Sequence, residues 1–174
     1  MGKGIENYGQ DATTDIHDGY FVVSQLKLAL MSLATLGLYE RYWMYKNWKY
    51  IKKRDRSNIM PFWRSAFAML WIFQLSKKIQ DHSEAMAVEP DFEAKSIFGL
   101  YCAFFAVSKV DILTFVGLLS FLPLFALQST AVKLNKTLEV SKHKHYSFGV
   151  WNYIILSLGA LFWALIILAL LFPE

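Results

Sequence analysis

A single cysteine, Cys102, leaves no internal disulfide and no thiolate zinc cluster open to this chain. Charge is also scarce. Only 18% of the 174 residues are Asp, Glu, Lys or Arg, whereas 55% are hydrophobic and 17% aromatic. A soluble domain carries about 25% charged and 45–50% apolar residues. The apolar excess is gathered into a few runs, which predicts a multi-pass membrane protein of one domain. His-Glu-x-x-His, Gly-x-Ser-x-Gly and a Gly-rich phosphate loop are missing, and no paired carboxylates fall within an apolar run. The expectation is therefore a protein that is not an enzyme and has no cofactor and no metal. His82 with Glu84, and His143-Lys-His145, are too few ligands for a metal site. Residues 1–18 lack a basic start followed by an apolar core, so no cleaved signal peptide is expected, and the first apolar run acts as its own insertion signal. The formal net charge of +4 would mean nucleic acid for a soluble domain. Here the cations flank apolar runs, as positive-inside segments do, and nucleic acid is not an expected partner.

What the chain does have is centred on residues 35–49, TLGLYERYWMYKNWK, continuing into Lys52, Lys53, Arg54 and Arg56. Six large rings (Tyr39, Tyr42, Trp43, Tyr45, Trp48 and Tyr50) fall within twelve positions. Amphipathic rings mixed with cations suit a membrane–water boundary. Tyr39, Trp43 and Trp48 are expected at headgroup level, with Lys49, Lys52, Lys53 and Arg56 reaching anionic lipid.

Taken in order, residues 1–19 read as a flexible polar tail and 20–174 as one membrane domain. Residues 26–38 form the heart of a first span, to which 20–23 must add length. Gly37 marks either a bend or a close helix contact. An amphipathic helix follows over about 40–54, either the lower end of a tilted span or an interfacial helix. Its periodicity puts Trp43, Asn47, Tyr50 and Ile51 on one side and leaves Trp48 on the basic side. Pro61 opens another helix. Its uncharged run, Ser65 to Ser76, has 12 residues and cations at both ends, which predicts an interfacial or re-entrant helix. Residues 79–95 read as a solvated acidic loop.

Residues 97–107 and 112–132 predict a helical hairpin with Lys109 and Asp111 at its tip and a kink at Pro123. Residues 151–172 form the clearest span, 22 residues without a charge, with Ser157, Ala160 and Ala164 as a small-residue face. A possible pseudo-repeat pairs 24–78 with 97–172. Gln128, Val132, Asn135 and Glu139 form a polar stripe that either lines a path or, as favoured here, packs against a neighbour. Arg64 either reaches lipid phosphate or, as favoured here, turns inward to bond the Gln128–Asn135 stripe. The fold class expected is an all-α membrane bundle of about four transmembrane helices plus an amphipathic and an interfacial or re-entrant helix.

Thr35-x-Gly37-x-Tyr39-x-x-Tyr42-Trp43-x-Tyr45-Lys46-Asn47-Trp48-Lys49, followed by Pro61-Phe62-Trp63-Arg64, resembles a family of small bacterial integral membrane proteins known as a domain of unknown function. The likeness is specific over about 24–75 and looser around Pro123, Gln128 and Asn135 and over 148–163. It implies a multi-pass protein of the bacterial inner membrane and supplies no activity or catalytic residue. Membrane lipids with anionic headgroups, and a membrane protein partner or a second copy, are the expected contacts. A structural or regulatory component is the leading expectation, and a small oligomeric channel or transporter lined by Gln128, Asn135 and Arg64 is the alternative.

Overall fold

The computed structural model describes residues 19–109, 111–140 and 146–172. The tail over 1–18, Lys142 and the His143-Lys-His145 loop lie outside them, as does the side chain of Asp111. The described residues are mostly helical, with no strand among them. The order is α1 (Gln25–Ala34), α2 (Leu38–Arg54), α3 (Pro61–Ala66), α4 (Ala68–Ala85), α5 (Ala94–Val107), a 3-10 helix (Asp111–Phe121), α6 (Leu122–Thr137) and α7 (Val150–Leu171). Two helical stretches, Phe115–Thr137 and Val150–Ala169, are long and apolar enough to cross a membrane.

Residues 20–23 do not lengthen the first span. They are non-helical, and Ser24 caps α1 by accepting from Lys27 N at 3.1 Å. With its 10 residues α1 is too short to cross a bilayer as one helix. It stops because Leu36 and Gly37 take φ of 51° and 84°, and the Gly37 N–H bonds back to Ser32 O at 2.9 Å. Gly37 therefore separates two helices. Pro61 starts α3 as expected, and a break at Phe67 divides it from α4.

The acidic loop is shorter than the sequence implied. Residues 79–85 belong to α4, where Ala68, Ile72, Leu75, Ser76, Ile79 and Ser83 form one buried stripe that carries the helix through its charged outer face. What remains of the loop is tied down. Asp91 accepts from Lys133 Nζ at 2.5 Å and its N–H donates to Thr130 Oγ1 at 3.0 Å.

The hairpin forms as expected, α5 packing along the 3-10 helix. Pro123 falls in the first turn of α6, where the backbone passes from 3-10 to α. The core lies between α1, α2, α4 and α6, centred on Leu28, Trp43, Met44, Ile72, Leu75, Leu124 and Leu127, all buried. Helix α7 stands outside this core and packs chiefly on α1. The contact is made through Gly159, where a Cβ would lie 2.6 Å from Ala34 Cβ. Trp163 Nε1 donates to Leu33 O at 3.1 Å beside it. Ser157, Ala160 and Ala164, the expected small-residue face, are exposed instead.

Candidate functional site

Two groups of residues meet around α2. On its inner face, three side-chain amides hold the backbone of residues 20–23. Asn135 Oδ1 accepts from Tyr20 N at 2.8 Å and Asn135 Nδ2 donates to Tyr20 O at 2.7 Å. Asn47 Oδ1 accepts from Phe21 N at 3.0 Å, and its Nδ2 donates to Phe21 O at 3.3 Å and to Trp43 O at 3.0 Å. Gln128 Nε2 donates to Val23 O while Gln128 Oε1 accepts from Trp43 Nε1 at 2.7 Å. A non-helical segment buried among helices must bond its N–H and C=O groups to side chains, and these amides supply both donor and acceptor. Gln128 and Asn135 of the polar stripe thus serve packing, joined by Asn47 of α2, while Glu139 at the end of the stripe is exposed.

The segment ends in a charged cluster. Tyr20 Oη accepts from Arg54 Nη1 at 2.5 Å and lies 3.0 Å from His82 Nδ1. Arg54 Nε donates to Asp55 Oδ1 at 2.7 Å, and Lys78 Nζ donates to Asp55 Oδ2 at 2.6 Å. Burial pushes the Tyr20 hydroxyl up and, with the Arg54 charge, pushes His82 down. Burial opposes ionisation of Asp55, but hydrogen bonds from Arg54 and Lys78 prevail and hold it below the usual carboxylate value.

Tyr39, Trp43 and Trp48 do not stand at a headgroup belt. Trp43 and Trp48 are 0% and 1% exposed, and Tyr39 is 8% exposed. Helix α2 buries 43, 44, 47, 48 and 51, so Trp48 belongs to the inner face, where packing outweighs the amphipathic preference of its ring. Glu40, at the start of α2, is 2% exposed and both its carboxylate oxygens lie 3.1 Å from Ser120 Oγ.

Arg64 does not reach Gln128 or Asn135, whose amide groups are occupied by residues 20–23 and by Trp43. Its guanidinium lies 4.6 Å from the Trp48 ring centre and 4.3 Å from that of Trp71, and Nη1 donates to Gln74 Oε1 at 3.0 Å. Short α3 packs on α2 and α4, so its arginine stays on that side of the molecule.

The outer side of α2 carries the second group. Lys49, Lys52, Lys53 and Arg56 fall at helical spacings and line one cleft with Tyr45 and Ser57. Met60, Pro61, Phe62 and Trp63 form its other wall, and the cleft encloses about 750 Å³. Met60, Phe62 and Trp63 are 65%, 63% and 54% exposed, and Trp63 stacks on Phe67 with ring centres 5.9 Å apart. Arg56 has φ of 47°, a left-handed turn that ends the helix and starts the apolar wall. The four cations expected at lipid are therefore together, but the apolar side of their site comes from 60–63 and not from Tyr39, Trp43 and Trp48. Comparison with known protein families, with characterised proteins and with solved structures finds no match for this chain.

Proposed function

We propose that this chain is a non-enzymatic integral membrane protein of the bacterial inner membrane, serving as a structural or regulatory component. The observation that carries the reading is α7. It is 22 residues long, about 33 Å at 1.5 Å per residue, and has no charged side chain. Large apolar side chains are exposed around it: Leu158 63%, Leu161 58%, Leu165 57%, Ile167 54% and Leu168 53%. Such a surface is costly in water and matches the length and polarity of a hydrocarbon core.

In this reading Phe115–Thr137 is a second span, and α1 and α5 complete a bundle of about four membrane-inserted helices. Residues 41–64 hold eight of the 18 Lys and Arg, and 133–144 hold four more, so both segments face the cytoplasm and meet anionic headgroups. The channel or transporter alternative relied on Gln128, Asn135 and Arg64 as lining, and the bonds these side chains make within the chain favour the structural role. Reporter fusions at Asp55 and Lys142 test the arrangement. Cytoplasmic signal at both is expected, and periplasmic signal at either overturns it. Carbonate washing tests insertion itself: the protein is expected to stay with the membrane, and release would reject the reading.

A further inference from the structure

The cleft on the outer side of α2 has two chemically distinct walls. Lys49, Lys52, Lys53 and Arg56 gather on one, and among the described residues no Asp or Glu lines it. The nearby Asp55 is turned to Arg54 and Lys78, with both carboxylate oxygens engaged. Cations gathered on one wall make it a place that attracts a negative group. Ser57, which also lines the cleft, has its Oγ buried without a hydrogen-bond partner. The opposite wall is apolar and open, formed by Met60, Phe62 and Trp63. An inorganic anion or a nucleic-acid backbone would match the cationic wall and leave the apolar one in water. A molecule with a negative head and an apolar tail satisfies both.

We infer that this cleft binds an anionic phospholipid, its phosphate among Lys49, Lys52, Lys53 and Arg56 and its acyl chain lying over Met60, Phe62 and Trp63. Arg56 matters most for shape, since its left-handed turn joins the cationic wall to the apolar one. The charge is split between Lys, which serves as a flexible point charge, and one Arg, whose fork engages two phosphate oxygens. Helix α2 makes the site rigid, because its inner face is locked by Trp43, Asn47 and Trp48.

The inference rests on the membrane placement proposed above, and one set of measurements separates the two. Full-length protein in neutral detergent is titrated with phosphatidylglycerol, phosphatidylcholine, inorganic phosphate and a short single-stranded oligonucleotide, with bound lipid counted by native mass spectrometry. Phosphatidylglycerol is expected to bind at least tenfold more tightly than phosphatidylcholine, with no comparable binding of phosphate or oligonucleotide. The variant Lys49→Gln, Lys52→Gln, Lys53→Gln, Arg56→Gln is expected to lose that preference, each cation near an anionic surface being worth roughly a fivefold factor before screening. Phe62→Ser with Trp63→Ser is expected to weaken phosphatidylglycerol while sparing the preference by charge. Equal binding of the two lipids, or a preference retained by the four-Gln variant, overturns the site. So does equally tight binding of phosphate or oligonucleotide. If wild-type protein resists carbonate extraction and yet shows no preference, the cleft inference fails alone. If it is released by carbonate, the membrane placement and the lipid site fall together.

Discussion

Replacing Asn135 with Ala tests whether residues 20–23 are held by amides or merely lie where the helices leave room. The side chain makes two buried bonds to one residue, at 2.8 Å from Tyr20 N and 2.7 Å to Tyr20 O. Truncation leaves both backbone groups without partners, and an unsatisfied buried group costs about 1–3 kcal/mol. Water reaches part of the vacated space, so the expected total is about 2–4 kcal/mol rather than the full sum. Asn135→Leu should be no better, because it restores volume and supplies neither donor nor acceptor. Asn135→Asp keeps the acceptor for Tyr20 N but sets an oxygen against Tyr20 O, so it too should destabilise. The assay is unfolding of the detergent-solubilised protein by a denaturing detergent, read together with hydrogen exchange at 20–23. Faster exchange at Tyr20 and Phe21 is expected in every variant. A cost under about 0.5 kcal/mol with unchanged exchange would refute the clamp. Because Arg64 shares no partner with Asn135, Arg64→Lys should add its full separate cost, whereas Trp43→Phe and Gln128→Ala, which remove one shared bond, should not add.

Gly159→Val should force α1 and α7 apart, since its Cβ would lie 2.6 Å from Ala34 Cβ and 2.7 Å from Ala34 O; a loss of about 1–3 kcal/mol in the same unfolding titration is expected. Arg64→Lys should cost about 1–2 kcal/mol, because an ammonium cannot lie flat between Trp48 and Trp71, and Trp71→Ala should remove most of that penalty; a full penalty in the Trp71→Ala background would place the role of Arg64 elsewhere. Glu40→Gln should be neutral or stabilising at pH 8, because the amide still pairs with Ser120 and no buried charge remains; a clear loss would show that the charge itself is needed. His82 has its pKa depressed from 6.5 by burial and then by Arg54, so an unfolded chain takes up this proton first. The stability that wild type gains over His82→Gln should therefore be present at pH 7.5 and shrink as pH falls below 6.5; an advantage that grows on acidification would refute the assignment.

Much of the helix pattern was open to reading because local chemistry decides it. Pro61 starts a helix since its lost N–H is not needed there. The uncharged 151–172 run can hardly be anything but helix at that length. The errors arose where a tertiary partner overrode a local preference. Residues 20–23 are apolar and continuous with α1, which invited a longer span. They leave the helix because Asn47, Gln128 and Asn135, distant in sequence, offer their backbone better partners than water would. The acidic stretch looked like a loop from its charges alone, yet a buried stripe ending at Ser83 carries α4 through it. Likewise, any of several small residues on α7 fits close packing in principle. Only the position of Ala34 selects Gly159.

The same distinction explains why the aromatic–basic stretch is conspicuous in sequence while the partners of its rings are not. A Trp ring suits a membrane boundary and a protein core almost equally, so its presence marks burial of its apolar face without saying against what. The cations carry less ambiguity. A lysine or arginine on a short helical interval must keep its charge in a polar place, so Lys49, Lys52, Lys53 and Arg56 fix which side of α2 faces outward. Once that side is fixed, Trp43 falls opposite it, whereas Trp48, one turn from Lys52 as well as from Met44 and Ile51, lies between the two sides and is drawn inward by packing. The outward apolar surface then has to come from the next segment. It does so through a left-handed turn at Arg56 that swings Met60, Phe62 and Trp63 beside the cations. Both walls of the cleft thus come from one stretch, 49–63, and Arg64, a cation with two indoles within reach, lies on the α3–α4 side and away from the amides of α6.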